Sequence, residues 1–237
     1  MRRTLVVGAS SGIGFALAQQ SLARGDAVVL AARRAVTPGM KNARGLSLQC
    51  DISDPDACRT LIEQAATFLK PHGGLTTVLL AAGSAPLASV ATTTATQWQD
   101  LLATNLVGAA LIVAEALPHL RRNRDQAAVV VLSSHSVGDP WPGLVPYATS
   151  KAALNELAVG LRVEEPLVRT IRISVGPTAT SFADGWDAED AARYFAQWHD
   201  MGHLRHQVLT ADDTAARILA VLDDPDGPDD VTVIGDA

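Results

Sequence analysis

Short apolar runs of strand length alternate, almost from one end of the chain to the other, with stretches in which apolar residues recur every three or four positions. This is the pattern of βαβ units around a parallel sheet, whose strands are covered on both faces and therefore read as continuous apolar runs. Strands are predicted at 4–7, 27–32, 46–50, 77–82, 127–132, 168–175 and 231–234, and helices at 13–24, 97–120, 147–163 and 211–222. A further helix is predicted to open at Asp54, with Pro55 at its first position, and to run through Leu61, Ile62, Ala65, Phe68 and Leu69 until Pro71, Gly73 and Gly74. The result is an α/β chain with a doubly wound, parallel, seven-stranded sheet. No linker divides it, so residues 1–237 are expected to form a single domain. The segment 181–207 is too long for a simple connection and is expected to bind or cover something.

Composition narrows the function classes. With 19 basic against 25 acidic residues the formal charge is −6, so the positive field that nucleic acid or an anionic membrane surface requires is missing. The best candidate for a membrane span, 106–114, stops at Glu115, far short of the ~18 apolar residues needed. Arg2 and Arg3 followed by apolar residues imitate a secretory signal, but the glycines inside that stretch are spaced for another task. Cys50 and Cys58 cannot staple a chain of 237 residues, which fits a reducing, cytoplasmic setting.

Those glycines are Gly8, Gly12 and Gly14 in VGASSGIG, between a predicted strand and a predicted helix. A tight turn and a close backbone approach to a pyrophosphate both need a missing Cβ, and the helix N-terminus offers free N–H groups to an anion. In a Rossmann-type fold this is the dinucleotide turn, with Ser10, Ser11 and Ile13 completing it. The end of the second strand distinguishes the two nicotinamide cofactors. An acid there would bind a ribose 2′-hydroxyl, whereas here Ala32 is followed by Arg33 and Arg34, which suit a 2′-phosphate and favour NADP(H) over NAD(H). Solvated surface arginines are the alternative.

Tyr147 and Lys151 are four apart at the start of a predicted helix and share a face, and Ser133 and Ser134 close the preceding strand. A phenol of pKa ≈ 10 is a poor acid or base at neutral pH. An ammonium ~5 Å away at an effective dielectric of ~20 would favour the phenolate by about 3 kcal/mol, or about two pKa units, and bring Tyr147 into range.

Together these motifs resemble the short-chain dehydrogenase/reductase family over nearly the whole chain: VGASSGIG, Asp51 and Ile52 after the third strand, Ala81, Ala82 and Gly83, Asn105 in NLVG, Ser134, YATSK with Tyr147 and Lys151, and VGPTAT from Val175 to Thr180. The resemblance implies hydride transfer between the nicotinamide and a small carbonyl or alcohol substrate. Tyr147 would be the general acid or base, Ser134 would hydrogen-bond the substrate oxygen, Lys151 would bind the nicotinamide ribose and lower the pKa of Tyr147, and Asn105 would anchor a proton-relay water. Asp51 and Ile52 would border the adenine, and Gly176, Pro177, Thr178 and Thr180 would face the nicotinamide. Ser134 is preferred to Ser133 because the family's serine lies thirteen positions before the tyrosine. A homodimer or homotetramer is also implied. Ala81 stands where the family has asparagine and Val175 where it has proline, so a non-catalytic NADP(H) sensor is the alternative reading, and epimerisation or dehydration a weaker third.

Other candidates carry less. His199, His203 and His206 are expected on one helical face, as lid or surface residues rather than a metal site, since no third carboxylate accompanies them. The aspartates from Asp223 to Asp230 fail the spacing of a calcium loop, and no metal is expected. His135 beside Ser134 has no triad geometry.

Overall fold

The structure, a computed structural model, describes residues 1–34 and 44–236. Seven strands form one parallel sheet: β1 (Arg3–Val7), β2 (Ala27–Ala32), β3 (Gly45–Gln49), β4 (Thr77–Leu80), β5 (Ala128–Ser134), β6 (Arg169–Val175) and, after a further short pair, β9 (Asp230–Val233), in the order β3-β2-β1-β4-β5-β6-β9. The pair is β7 (Thr178–Ala179) with β8 (Leu209–Thr210), also parallel. The central strands are rich in Val and Leu because both of their faces are covered. Leu5 lies opposite Val29 on one side and Val78 on the other, all three fully buried. Each such side chain contributes roughly 1.5–3 kcal/mol by leaving water.

One face of the sheet packs against α2 (Pro55–Leu69), α4 (Gly108–Leu120) and α5 (Val145–Glu164) through Leu61, Ile112, Leu154 and their neighbours; the other packs against α1 (Gly12–Ala23) and α7 (Ala211–Asp223) through Leu17, Ile218 and Leu222. The helix starts follow local chemistry. Asp54 accepts hydrogen bonds from the amides of Asp56 (2.9 Å) and Ala57 (3.3 Å) ahead of Pro55, and Thr94 and Gln97 form a reciprocal capping box at α3 (Ala95–Leu102).

From β1 the chain winds outward to β3, then returns to add β4 on the opposite side of β1. The order reverses between β1 and β4, which is where open α/β sheets hold ligands. Most of the expected elements are present, with three differences. β4 ends at Leu80, two residues early, although the Ala81 amide still donates to the Val7 carbonyl (2.9 Å). The long helix expected at 97–120 is α3 and α4 joined by a π-helical segment, Ala103–Val107. The segment 181–207 contains a helix of its own, α6 (Ala188–Asp200). The helical stretch Ala95–Gln126 is long and apolar enough to cross a membrane. Here Ile112, Val113, Ala116 and Leu120 on it lie in the core against the sheet.

Candidate active site

The glycine turn is built as its residue types require. Gly8, directly after β1, has φ +92°, and a Cβ there would lie 2.5 Å from the Ala82 amide nitrogen and 2.6 Å from the Ala82 Cα. The Gly8 amide donates to the Ala31 carbonyl at 2.8 Å, which pins the turn to β2. Ser10, Ser11, Gly12 and Ile13 follow, half-buried, and a Cβ on Gly14 would run into the Gly8 carbonyl. Among the described residues no side chain caps the N-terminus of α1, and its first turn carries no acid, so its amides and dipole are directed at the turn. The residues therefore fit a dinucleotide pyrophosphate, through a cradle that a Cβ would fill and an anion-attracting helix end.

The segment 176–180 crosses this turn. Thr180 lies 3.1 Å from where a Gly12 Cβ would be, and Ser181 donates to Ser11 at 3.1 Å between hydroxyls. The Gly176 amide donates to Val233 (2.9 Å), the Pro177 carbonyl accepts from Leu209 (3.1 Å), and Thr178 donates to the Gly176 carbonyl (3.1 Å). Val175 continues β6 opposite Ser134 and Val233, so replacing the family's proline leaves the strand intact. The Ala81 methyl packs toward Gly14, and Gly83 lies beside Asn105 and Lys151. Arg33 and Arg34 are exposed at the carboxyl end of β2. Nearby, Asp51 accepts from the Ser53 amide (3.0 Å) and hydroxyl (2.7 Å); these bonds, with a smaller contribution from the Arg33 charge, hold its carboxyl below the usual range. Ile52 is buried beneath it.

Ser134 ends β5, and Tyr147 lies in the first turn of α5, where Pro146 helps to start the helix. Ser134 favours ionisation of the Tyr147 phenol, and its Oγ lies 2.9 Å from Ser136 Oγ. Ser133, by contrast, keeps a buried hydroxyl with no hydrogen-bond partner among the described residues. Lys151 Nζ donates to the Leu132 carbonyl at 2.8 Å and stands 5.8 Å from the centroid of the Tyr147 ring. Asn105 is buried within the π-helical segment: Oδ1 accepts from the Ser84 amide (2.8 Å), and Nδ2 donates to the Ser84 carbonyl and to Ser150 Oγ (both 2.9 Å). Such a one-turn widening often marks a functional site. Ser150 in turn donates to the Tyr147 carbonyl at 2.7 Å. Neither Ser150 nor Ser136 was singled out in the sequence, although Ser150 falls three residues after Tyr147 and so on its face.

Burial reverses the electrostatic expectation for the pair. The Tyr147 phenol is pushed up to about 12 by desolvation, only partly offset by the Ser134 hydrogen bond, and the Lys151 ammonium is pushed down to about 8 by desolvation. The ammonium donates to a carbonyl beside the ring, and the cost of charging either group in this site outweighs their mutual attraction. Lys151 binds its proton less tightly folded than unfolded. Its contribution to stability is therefore complete above pH 10.5 and is lost as pH falls through 8. We expect the stability of the cofactor-free protein to rise by up to about 3 kcal/mol across that window through this group. Denaturant midpoints measured against pH should show the slope, and Lys151→Met should abolish it.

Segment 181–207 closes over the pair. Phe182 meets the Tyr147 ring edge-on at 5.3 Å between centroids, Trp186 donates its indole N–H to the Ala85 carbonyl (2.8 Å), and Trp198 donates to Pro142 (2.8 Å). Tyr147 thereby joins an apolar cluster with Trp141, Leu144, Tyr194 and Trp198. The three histidines do not share a helical face. His199 lies on α6 and is exposed, but the helix ends at Asp200, Gly202 turns the chain at φ +74°, and His203 and His206 lie beyond.

The sequence profile of the short chain dehydrogenase family matches residues 2–191. An uncharacterized oxidoreductase of Schizosaccharomyces pombe is 30% identical over 185 residues, covering 74% of this chain and 70% of that protein. Dehydrogenase/reductase SDR family member 4 of Homo sapiens is 30% identical over 187 residues, covering 76% of this chain and 66% of that protein, so the match spans about two thirds of these relatives' length. The solved structure of a short-chain dehydrogenase from Streptomyces avermitilis superimposes with a TM-score of 0.79 at 25% identity, covering 97% of this chain and 87% of that one. With this match over most of its length and a seven-stranded parallel sheet to hold the motifs, the chain belongs to the short-chain dehydrogenase/reductase family, whose chemistry is nicotinamide-dependent hydride transfer.

Proposed function

We propose that this protein is an NADP(H)-dependent oxidoreductase interconverting a carbonyl and a secondary alcohol, with Tyr147 as the general acid or base. The observation that carries the reading is the buried Lys151 ammonium, 5.8 Å from the centroid of the Tyr147 ring, with Ser134, which closes β5, favouring the phenolate. When bound, the cofactor supplies or accepts the hydride. In reduction Tyr147 donates its proton to the substrate oxygen, and in oxidation it takes that proton back. Ser134 orients the oxygen by a hydrogen bond, and Lys151 holds the ribose and positions a positive charge near the phenol. Asn105 and Ser150 fix the backbone on either side of the pair. The turn 8–14 would hold the pyrophosphate, Asp51 and Ile52 the adenine, and residues 176–180 the nicotinamide face. Segment 181–207 covers the substrate and excludes water.

The two exposed arginines after β2 support the cofactor choice, because a 2′-phosphate there gains charge-assisted hydrogen bonds. Arg33→Ala is therefore expected to weaken NADPH binding by ~10-fold or more while changing NADH binding little, as read by calorimetry. Equal losses would overturn the 2′-phosphate contact. NADPH absorbance followed against a panel of ketones tests the reaction itself. Tight binding without turnover would favour a sensor.

A further inference from the structure

A cleft of about 240 Å³ opens one residue beyond Ser134. His135, Asp139 and Trp141 from the loop after β5 wall one side, and His203, Arg205 and His206 from the segment after α6 wall the other. Nine buried side-chain polar atoms lack a hydrogen-bond partner among the described residues, and four of them belong to residues that line this cleft: His135 Nδ1, Trp141 Nε1, His203 Nε2 and His206 Nδ1. Each such group costs about 1–3 kcal/mol if nothing answers it. Their concentration in one place therefore points to a ligand.

The chemistry of the orphaned atoms tells what kind. An indole N–H can only donate. Arg205 Nε donates to His206 Nε2 at 3.3 Å, which uses that lone pair and puts the ring proton on the orphaned Nδ1, a second donor. His203, whose side chain is only 7% exposed, stacks on Trp141 at 4.9 Å between centroids and 12° between planes. Its Nδ1 faces Asp139 at 3.4 Å. The His135 ring lies 6.0 Å from that of His206 and completes the wall. Among the described residues Asp139 is the cleft's single carboxylate and lies beside His203, whereas the Arg205 guanidinium supplies a fixed positive charge. A ligand that satisfies these two donors beside a guanidinium is an acceptor carrying negative charge. A metal cation would need lone pairs, and His206 has none to give.

We propose that this cleft is a subsite for the carboxylate of a keto acid whose carbonyl lies at Ser134 and Tyr147. The inference rests on the carbonyl-reductase reading and extends it to a substrate class. The test is NADPH-linked turnover of a series of straight-chain keto acids, each paired with its methyl ester, in the wild type, His206→Phe and Arg205→Gln. In the best pair kcat/KM should favour the acid by ~10-fold or more, and the acid-to-ester ratio should fall toward one in both variants. A second arm needs no turnover: butanoate titrated into the wild-type protein should shift the ring resonances of His135 and His206 saturably and leave exposed His199 unmoved. If esters are turned over as well as acids in every pair and butanoate moves no cleft histidine, the proposal is overturned. If no ketone is reduced but the cleft histidines respond to butanoate, the anion subsite stands and the carbonyl-reductase reading fails.

Discussion

Tyr147→Phe should lower kcat for carbonyl reduction by ~10²- to 10⁴-fold, the usual worth of a positioned proton donor. The substitution removes a single oxygen. The ring keeps its edge contact with Phe182 and its place among Trp141, Tyr194 and Trp198, and Ser134 keeps Ser136 as a partner. The thermal midpoint should therefore barely change, which separates loss of chemistry from loss of fold. Burial holds the phenol protonated, up to about 12, so the wild-type residue enters the reductive direction already loaded. Steady-state rates on any accepted ketone, set beside a melting curve, make the measurement. Near-normal turnover in the variant would remove Tyr147 from the chemistry.

The second large effect is expected at the glycine turn. Gly8→Ala must place a Cβ against the Ala82 backbone at a φ that alanine tolerates poorly. Neither side yields cheaply, because the Gly8 amide is tied to Ala31 and the Ala81 amide to Val7. Gly25→Ala is the internal control. It has nearly the same φ, +91°, but nothing within 4 Å of the new methyl, so it incurs only the conformational cost of roughly 1 kcal/mol. The variant at Gly8 adds the collision, for a total of about 3 kcal/mol or more and a fall in Tm of roughly 5–10 °C for a chain of this size. It should also lose dinucleotide affinity by at least ~10-fold, measured by calorimetry below the melting range, while Gly25→Ala binds normally. Equal behaviour of the two variants would mean that the close approach of the turn to Ala82 has no energetic weight.

How much of this was legible in the sequence varies with the range of the interaction involved. The alternation of apolar runs with three-and-four spacing located the strands and helices of the sheet, because burial on two faces or on one stripe is written locally in residue type. The glycine turn was legible for the same reason, since a missing Cβ is a local property. The π-helical widening at Asn105 was not, because it answers to Ser84 and Ser150, 21 residues before and 45 after it in the chain. Nor was the early end of β4, set where the backbone leaves the sheet to pass Gly8 and Gly14.

Thus the sequence by itself determined the order of the elements, the turn that a pyrophosphate fits, and the identity of the serine, tyrosine, lysine and asparagine that meet near it. Only the tertiary structure decided how those groups ionise and what surrounds them. Phe182 packs on the Tyr147 ring, and in the buried setting of Tyr147 and Lys151 desolvation outweighs the attraction that spacing alone suggested. The segment that carries Phe182 also brings His203 and His206, past the end of α6, against His135 after β5. Desolvation and convergence sum over segments distant in the chain, so no local pattern of residues encodes them.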